Sequence, residues 1–216
     1  MIFINSQEAF EYYYGLIMDN GIDYNGTKTF FNLGFTIKNP LDNNIKTKWR
    51  KWSLNYADYE WKWYLSGNPN ADEISKRAKI WKTMQDENGN VNSNYGYQWQ
   101  KNNQLSKVIN LLKEDKYTRR ASISLYDGKD IDNYKKDTIC THAINFQILD
   151  NKINMSVMMR SNDLVYGFCN DQYCFSLLQK MIADELKIKI GTYYHFTNNM
   201  HIYQRHYNLK NKQHAK

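Results

Sequence analysis

Proline is nearly missing from this 216-residue chain, which has two, and no stretch rich in proline, glycine and serine interrupts it. A flexible linker has that composition, so its absence predicts a single domain over residues 1–216, long enough for one sizeable core. Long apolar runs are missing too. No window approaches the roughly eighteen consecutive apolar residues of a membrane-crossing helix. The opening "MIFINSQEAFEYYYG" has neither the basic start nor the small-residue cleavage site of a secretory signal. Cysteine is scarce: Cys140, Cys169 and Cys174 are an odd number without disulfide-framework spacing. That predicts free thiols in a reducing, cytoplasmic compartment.

Aromatic residues are plentiful at 15% of the chain, and charged residues stand at 24%, a globular composition. The formal charge of +7 suits an anionic partner, a nucleic acid or a phosphorylated small molecule. The lysines are scattered, and the sequence carries no basic stripe or nucleic-acid-binding motif, so nucleic acid is the weaker reading. Three histidines, His195, His201 and His206, lie close together but match neither an HExxH helix nor paired zinc spacing, which predicts no metal site.

Ser6 is the expected N-cap of a first helix that turns Phe10, Tyr13, Tyr14, Leu16 and Ile17 inward and ends near Asn20-Gly21. "KTFFNLGFTI" (28–37) has the content of a strand. Helical spacing runs through 49–65, where Gly67 and Pro69 stop it, then through 71–84 and 105–115. Strands are expected over "RRASISLY" (119–126) and "ICTHAINFQIL" (139–149). Asp150-Asn151 turns the chain into "KINMSVMM" as a hairpin. The clearest amphipathic helix covers 171–186, with Phe175, Leu178, Met181, Ile182 and Leu186 on one face. "KIGTYYHFTNN" and "MHIYQRHY" close the chain as strands. There is no internal repeat. Helices first, then strands with a late helix, predict an α+β domain on a mixed sheet.

Three features carry possible chemistry. Cys140 opens a strand after Lys135 and Lys136, whose charges lower a thiol pKa if they converge on it; alone it reads as an inert buried thiol. Arg119-Arg120 is either a solvated strand end or a bidentate phosphate clamp. Asp163 and Asp171 flank Gly167 and are either helix and loop caps or members of a site. Cys169 and Cys174, with no second pair, read as core or surface residues.

At these positions the chain resembles the thymidylate synthase family, and within it the deoxycytidylate hydroxymethylases of phages. The resemblance runs from about Asn25 to Tyr207. It rests on "IWKTMQDENGNVNSNYGYQW", "YTRRASIS", "ICTHAINFQI", "MRSNDLVYGF" and "MHIYQRHY", in order and at near-constant spacing. It implies a three-layer α/β fold whose large mixed sheet forms the interface of a homodimer, with methylenetetrahydrofolate as co-substrate and no metal. Cys140 is then the nucleophile that adds to C6 of a pyrimidine nucleotide, in thiolate form favoured by the surrounding cations. Glu60 and Tyr95 organise water and proton transfers. Arg160 and Ser161, with Arg119 and Arg120 from the other subunit, hold the 5′-phosphate; His201 and Tyr203 hold the sugar. Asn170 and Asp171 face the base, and Trp81, Asp163 and Gly167 face the folate.

Where thymidylate synthases carry asparagine, this sequence has Asp171. An ionised carboxylate accepts from the 4-amino group of cytosine and from a protonated N3 while repelling the O4 of uracil. The resemblance therefore implies 5-hydroxymethylation of dCMP, with water capturing the exocyclic methylene, in a phage-like or viral setting and the host cytoplasm. The near alternatives are a methylase or hydroxymethylase of dUMP or CMP, and a nucleotide-binding homologue without turnover. The sequence departs from the family pattern at Tyr24 (a phosphate arginine, with Lys28 nearby), Ile139 (the proline before the cysteine) and Met84 (a second folate-side tryptophan). Its end, "NLKNKQHAK", is a shortened C-terminus where members continue into a segment that closes over the folate.

Overall fold

The computed structural model describes residues 1–134 and 136–210; Lys135 and the final residues of the tail lie outside the described residues. Among the described residues eight strands form one mixed sheet: β1 (Ile2–Phe3), β2 (Ile22–Tyr24), β3 (Thr27–Ile37), β4 (Ser122–Ser124), β5 (Thr141–Leu149), β6 (Lys152–Met159), β7 (Asn162–Asp163) and β8 (Lys189–Tyr203). The order is β1-β3-β8-β6-β5-β4, with β2 on β3 and β7 on β8. Seven helices are described: α1 (Ser6–Asn20), α2 (Leu54–Ser66), α3 (Asp72–Ser75), α4 (Ile80–Met84), α5 (Tyr95–Gln100), α6 (Gln104–Glu114) and α7 (Cys169–Leu186).

Register explains which face is buried. Phe35, His195, Val157, Ile144 and Ile123 are successive cross-strand partners, and each is fully buried. They form the row on which α1 and α7 pack. The neighbouring row, Gly34, Phe196, Met158, Ala143 and Ser124, points the other way by strand alternation and is only partly covered or exposed. Helices α2 and α6 pack on the outer side of α7, and α5 packs on α2 and α6. Sheet, α1/α7 layer and outer helices make the three layers. α7 is the crossover that returns the chain from β6 to its parallel neighbour β8, the connection a parallel pair requires.

Local chemistry corrects several expected boundaries. Asn5, not Ser6, caps α1 by accepting from the Glu8 N–H at 2.9 Å; Ser6 is buried and donates to Gln172 Oε1. Leu16 is only partly buried. The helix expected over 49–65 begins at Leu54, because Lys51 sits at φ +50° and Ser53 caps the first turn. The segment 71–84 is two short helices rather than one. Of 119–126 only Ser122–Ser124 pairs, as a sheet edge. The two closing strands are one: Asn199 continues pairing with Phe31 of β3, so β8 runs unbroken to Tyr203. The hairpin holds as expected, with Asp150 and Asn151 both at positive φ, the backbone of a type I′ turn. On α7, Phe175, Leu178 and Ile182 are buried, while Met181 and Leu186 are partly covered.

Candidate active site

Where β5 begins and β6 and β8 end, beside α2, α4, α5 and the start of α7, the surface opens into a cleft of about 430 Å³. Its lining includes Cys140, Glu60, Tyr95 and Asp171, together with Arg160, Ser161, Asn170, His201, Tyr203, Trp81, Asp163 and Gly167. Residues drawn from six segments of the sequence thus meet in one place. Arg119 and Arg120 do not: both are exposed and stand outside the lining of this cleft.

Cys140 ends the loop before β5, and Arg160 fixes that loop. Its Nη2 donates to the Thr138 carbonyl at 2.9 Å and its Nε to the Ile139 carbonyl at 3.0 Å. Nη2 also lies 3.6 Å from Cys140 Sγ, and the Arg160 N–H donates to the Cys140 carbonyl. From the other side, Ser93 gives its N–H and hydroxyl to the buried Asp137 carboxylate, tying the loop to the segment that enters α5. The expected lowering of the thiol pKa is not what the structure gives. Burial pushes Cys140 up to about 11, and Arg160 offsets only part of that. Lys136 is engaged elsewhere, donating to the Gln85 carbonyl.

Glu60 lies on the buried face of α2, between Tyr56 and Tyr64. Tyr64 Oη donates to Glu60 Oε1 at 3.3 Å, and Oε2 is buried with no hydrogen-bond partner. Burial, then the nearby Asp171, raise this carboxyl to about 8. Asp171 sits in the first turn of α7, where burial outweighs the hydrogen bond from Asn162 and holds it at about 7. Both carboxyls therefore titrate close to neutrality, as groups that exchange protons with a substrate do. Asn170 Oδ1 accepts from Trp52 Nε1 at 2.8 Å. His201 Nδ1 is 3.0 Å from Asn199 Oδ1, and its ring meets that of Tyr203 edge-on at 5.0 Å. Trp81 donates from Nε1 to Tyr56 Oη at 2.8 Å and stands edge-on to Trp63.

Sequence reasoning missed Tyr56, Tyr64, Asp137, Asn162 and Tyr166, which also line or frame the cleft. Tyr56, Glu60 and Tyr64 are four residues apart in turn, the spacing that stacks side chains on one helix face, and that repeat was the available signal. Asp137 and Asn162 had none, since their roles depend on contacts across the fold. Cys169 and Cys174 are buried free thiols away from the cleft lining, in keeping with core roles. Among the described residues no cluster of three or more His, Cys, Asp or Glu is placed to hold a metal ion, and no helix is long and apolar enough to cross a membrane.

Comparison with known proteins adds the family. The chain is 29% identical over 158 residues to the thymidylate synthase of Vesicomyosocius okutanii subsp. Calyptogena okutanii, covering 69% of this chain and 60% of that protein. It is 27% identical over 203 residues to the thymidylate synthase of Buchnera aphidicola subsp. Acyrthosiphon pisum, covering 88% and 76%. It is 32% identical over 171 residues to the deoxycytidylate 5-hydroxymethyltransferase of Enterobacteria phage T4, covering 71% and 69%. The thymidylate synthase family profile matches residues 10–216, and with the cleft assembled as described, the chain belongs to the thymidylate synthase family.

Proposed function

We propose that the chain is a homodimeric hydroxymethyltransferase that carries a one-carbon unit from methylenetetrahydrofolate to C5 of dCMP. The observation that carries the base assignment is Asp171, a carboxylate facing the same cleft as Cys140 where an amide would serve uracil. Its ionised form accepts from the 4-amino group and from a protonated N3, and it repels O4. Similarity to a phage deoxycytidylate 5-hydroxymethyltransferase supports the same reading; similarity to thymidylate synthases favours dUMP methylation as the second reading.

Cys140 Sγ forms the bond to C6 as its thiolate, and the electron pair displaced from the C5–C6 double bond makes C5 the nucleophile. Since the resting thiol is held near 11, additional positive charge is needed. A substrate phosphate held by Arg160 and by Arg119 and Arg120 of a second subunit would bring guanidinium groups there. Exposure of both arginines away from their own cleft and the partly uncovered sheet face support that sharing; a monomeric mass in solution would remove it. The cleft lining offers the apolar Ile80, Trp81 and Met84 together with the Asp163 carboxylate, side chains that suit a pterin, which needs ring faces covered and donor edges met. When bound, the folate supplies the carbon at the oxidation level of formaldehyde. Glu60, protonated at neutral pH, and Tyr95 manage the protons. C5 would bond to the donated carbon, and the C5 proton would leave as the carbon–nitrogen bond to the folate breaks with its electron pair going to the nitrogen. Water oxygen would bond to the exocyclic carbon and lose a proton, and the C6–S bond would break to return its electrons to Cys140. Overall, dCMP, methylenetetrahydrofolate and water give 5-hydroxymethyl-dCMP and tetrahydrofolate.

The test is to incubate the protein with dCMP, dUMP and CMP plus methylenetetrahydrofolate and weigh the products. Hydroxymethylated dCMP is expected. Methylated dUMP beside untouched dCMP would replace this reading with the second one, and nucleotide binding without release of C5 tritium would leave only a binding protein.

A further inference from the structure

The Asp171 carboxylate does not stand alone. Asn162, in the two-residue strand β7, pairs with Met200 of β8 and is 3% exposed. Its Nδ2 donates to Asp171 Oδ2 at 2.7 Å, while its own Oδ1 is buried without a hydrogen-bond partner. The contact is tight on its outer side. A Cβ at Gly167 would lie 2.8 Å from Asn162 Nδ2 and 3.4 Å from Asp171 Oδ2, so glycine is needed there for the two side chains to meet.

We propose that Asn162 is a positioning residue for base selection: its amide pins one oxygen of Asp171 as an acceptor and favours the discriminating, ionised form of the carboxyl, with Gly167 giving the pair its room. The inference rests on the reading of Asp171 as the cytosine-selecting residue. The chemistry is that of the acid itself. A neutral carboxyl turns its O–H toward the O4 of uracil as readily as toward N3 of cytosine, whereas a carboxylate has only acceptors to offer. An N–H donated to Oδ2 stabilises the carboxylate form and fixes its rotamer. The other titratable groups that feel the Asp171 charge are Tyr56, Glu60 and Tyr64 from α2, Tyr95 from α5, Cys140 before β5, Asp163 in β7 and Tyr193 in β8, with Cys169 and Cys174 on its own helix. None of them donates a hydrogen bond to its oxygens among the described contacts. Asn162 supplies the one that lowers its pKa.

The experiment measures kcat/KM for dCMP and for dUMP from pH 6 to 9 in the wild-type dimer and in Asn162→Leu, which keeps the side-chain volume and removes the amide. The wild-type preference for dCMP is expected to strengthen as pH rises through the Asp171 titration. In Asn162→Leu the preference at pH 7 should fall by about tenfold or more, as expected for losing one charge-assisted bond, and its onset should move to higher pH. A second variant, Gly167→Ala, presses on Nδ2 without removing any polar group and should move the same onset in the same direction. An unchanged preference and an unmoved onset in a folded variant, in a wild type that prefers dCMP, overturn the role of Asn162 alone. A wild type that prefers dUMP overturns the base reading beneath it. Should Asn162→Leu not fold, an unmoved onset in Gly167→Ala overturns the proposal by itself.

Discussion

Replacing Asp171 by Asn changes one oxygen to nitrogen in a side chain that lies against Asn162 Nδ2 at 2.7 Å. The neighbouring amide has only to turn over to remain bonded, so the fold should hold. What changes is the face offered to the base. Asp171 is held at about 7, so at pH 7 the two protonation states are nearly balanced and by pH 8 the carboxylate dominates. Hydrogen bonds to a charged group contribute about 1.5–3 kcal/mol each. One such contact to the 4-amino group, with a repulsion of similar size from the O4 of uracil, amounts to about 3–6 kcal/mol of discrimination. At about 1.4 kcal/mol per tenfold, the ratio of kcat/KM for dCMP over dUMP should fall by roughly 10²–10⁴-fold in Asp171→Asn. The carboxamide does not titrate, so the variant's ratio should also be flat between pH 6 and 9 where the wild type's rises. The assay is a competition of both nucleotides in one tube with methylenetetrahydrofolate, the products separated and weighed across that range. A variant that keeps the wild-type ratio, or keeps its pH dependence, would refute the assignment of base choice to Asp171.

Three further outcomes are expected. Cys140→Ser should abolish release of tritium from C5 of dCMP while equilibrium binding of dCMP stays within a few-fold, and retained release would show that another group is the nucleophile. His195 is buried among Phe35, Phe168 and Tyr193, and burial lowers it to about 3, below its ordinary 6.5. Its stabilising contribution is therefore complete above about pH 6.5 and is lost as pH falls toward 3; by pH 5 the wild type should have lost about 2 kcal/mol that His195→Gln does not lose. Urea unfolding at pH 7 and 5 measures this, and equal losses in the two proteins would contradict it. Gly96 of α5 lies so close to α2 that a Cβ would fall 1.7 Å from the Tyr64 carbonyl oxygen. Gly96→Ala should accordingly cost about 3 kcal/mol or more in thermal or urea unfolding, and near-normal stability would disprove the close approach.

Most of the framework was legible in the chain because it depends on local pattern. The apolar spacing of α1 and α7, the alternation in β5 and β6, and Asp150-Asn151 between them each state their own structure. The quoted motifs also located Trp81, Tyr95, Cys140, Arg160, His201 and Tyr203, which line the cleft, though they also carried Arg119 and Arg120, which do not. What was not legible depends on contacts distant in sequence. Ser6 resembles a cap until Gln172 claims its hydroxyl from across the fold. The strand expected over 119–126 shrank to three residues because only Ser122–Ser124 finds a partner in β5. Cys140 had cations near it in sequence, yet among the described residues the cation that reaches it is Arg160, twenty residues away, and burial outweighs even that. The Asn162–Asp171 bond was likewise invisible, since the eight intervening residues say nothing of a π-helical turn at Leu164–Phe168 that brings the two together.

The most direct test of the central claim uses 5-fluoro-dCMP, in which the departure of a proton from C5 is blocked and the adduct at C6 has no forward path. Incubated with methylenetetrahydrofolate, the intact protein should gain the mass of one nucleotide plus one folate, and peptide mapping should place both on Cys140. Trapping by 5-fluoro-dUMP but not by 5-fluoro-dCMP, or an adduct on any residue other than Cys140, would contradict the account.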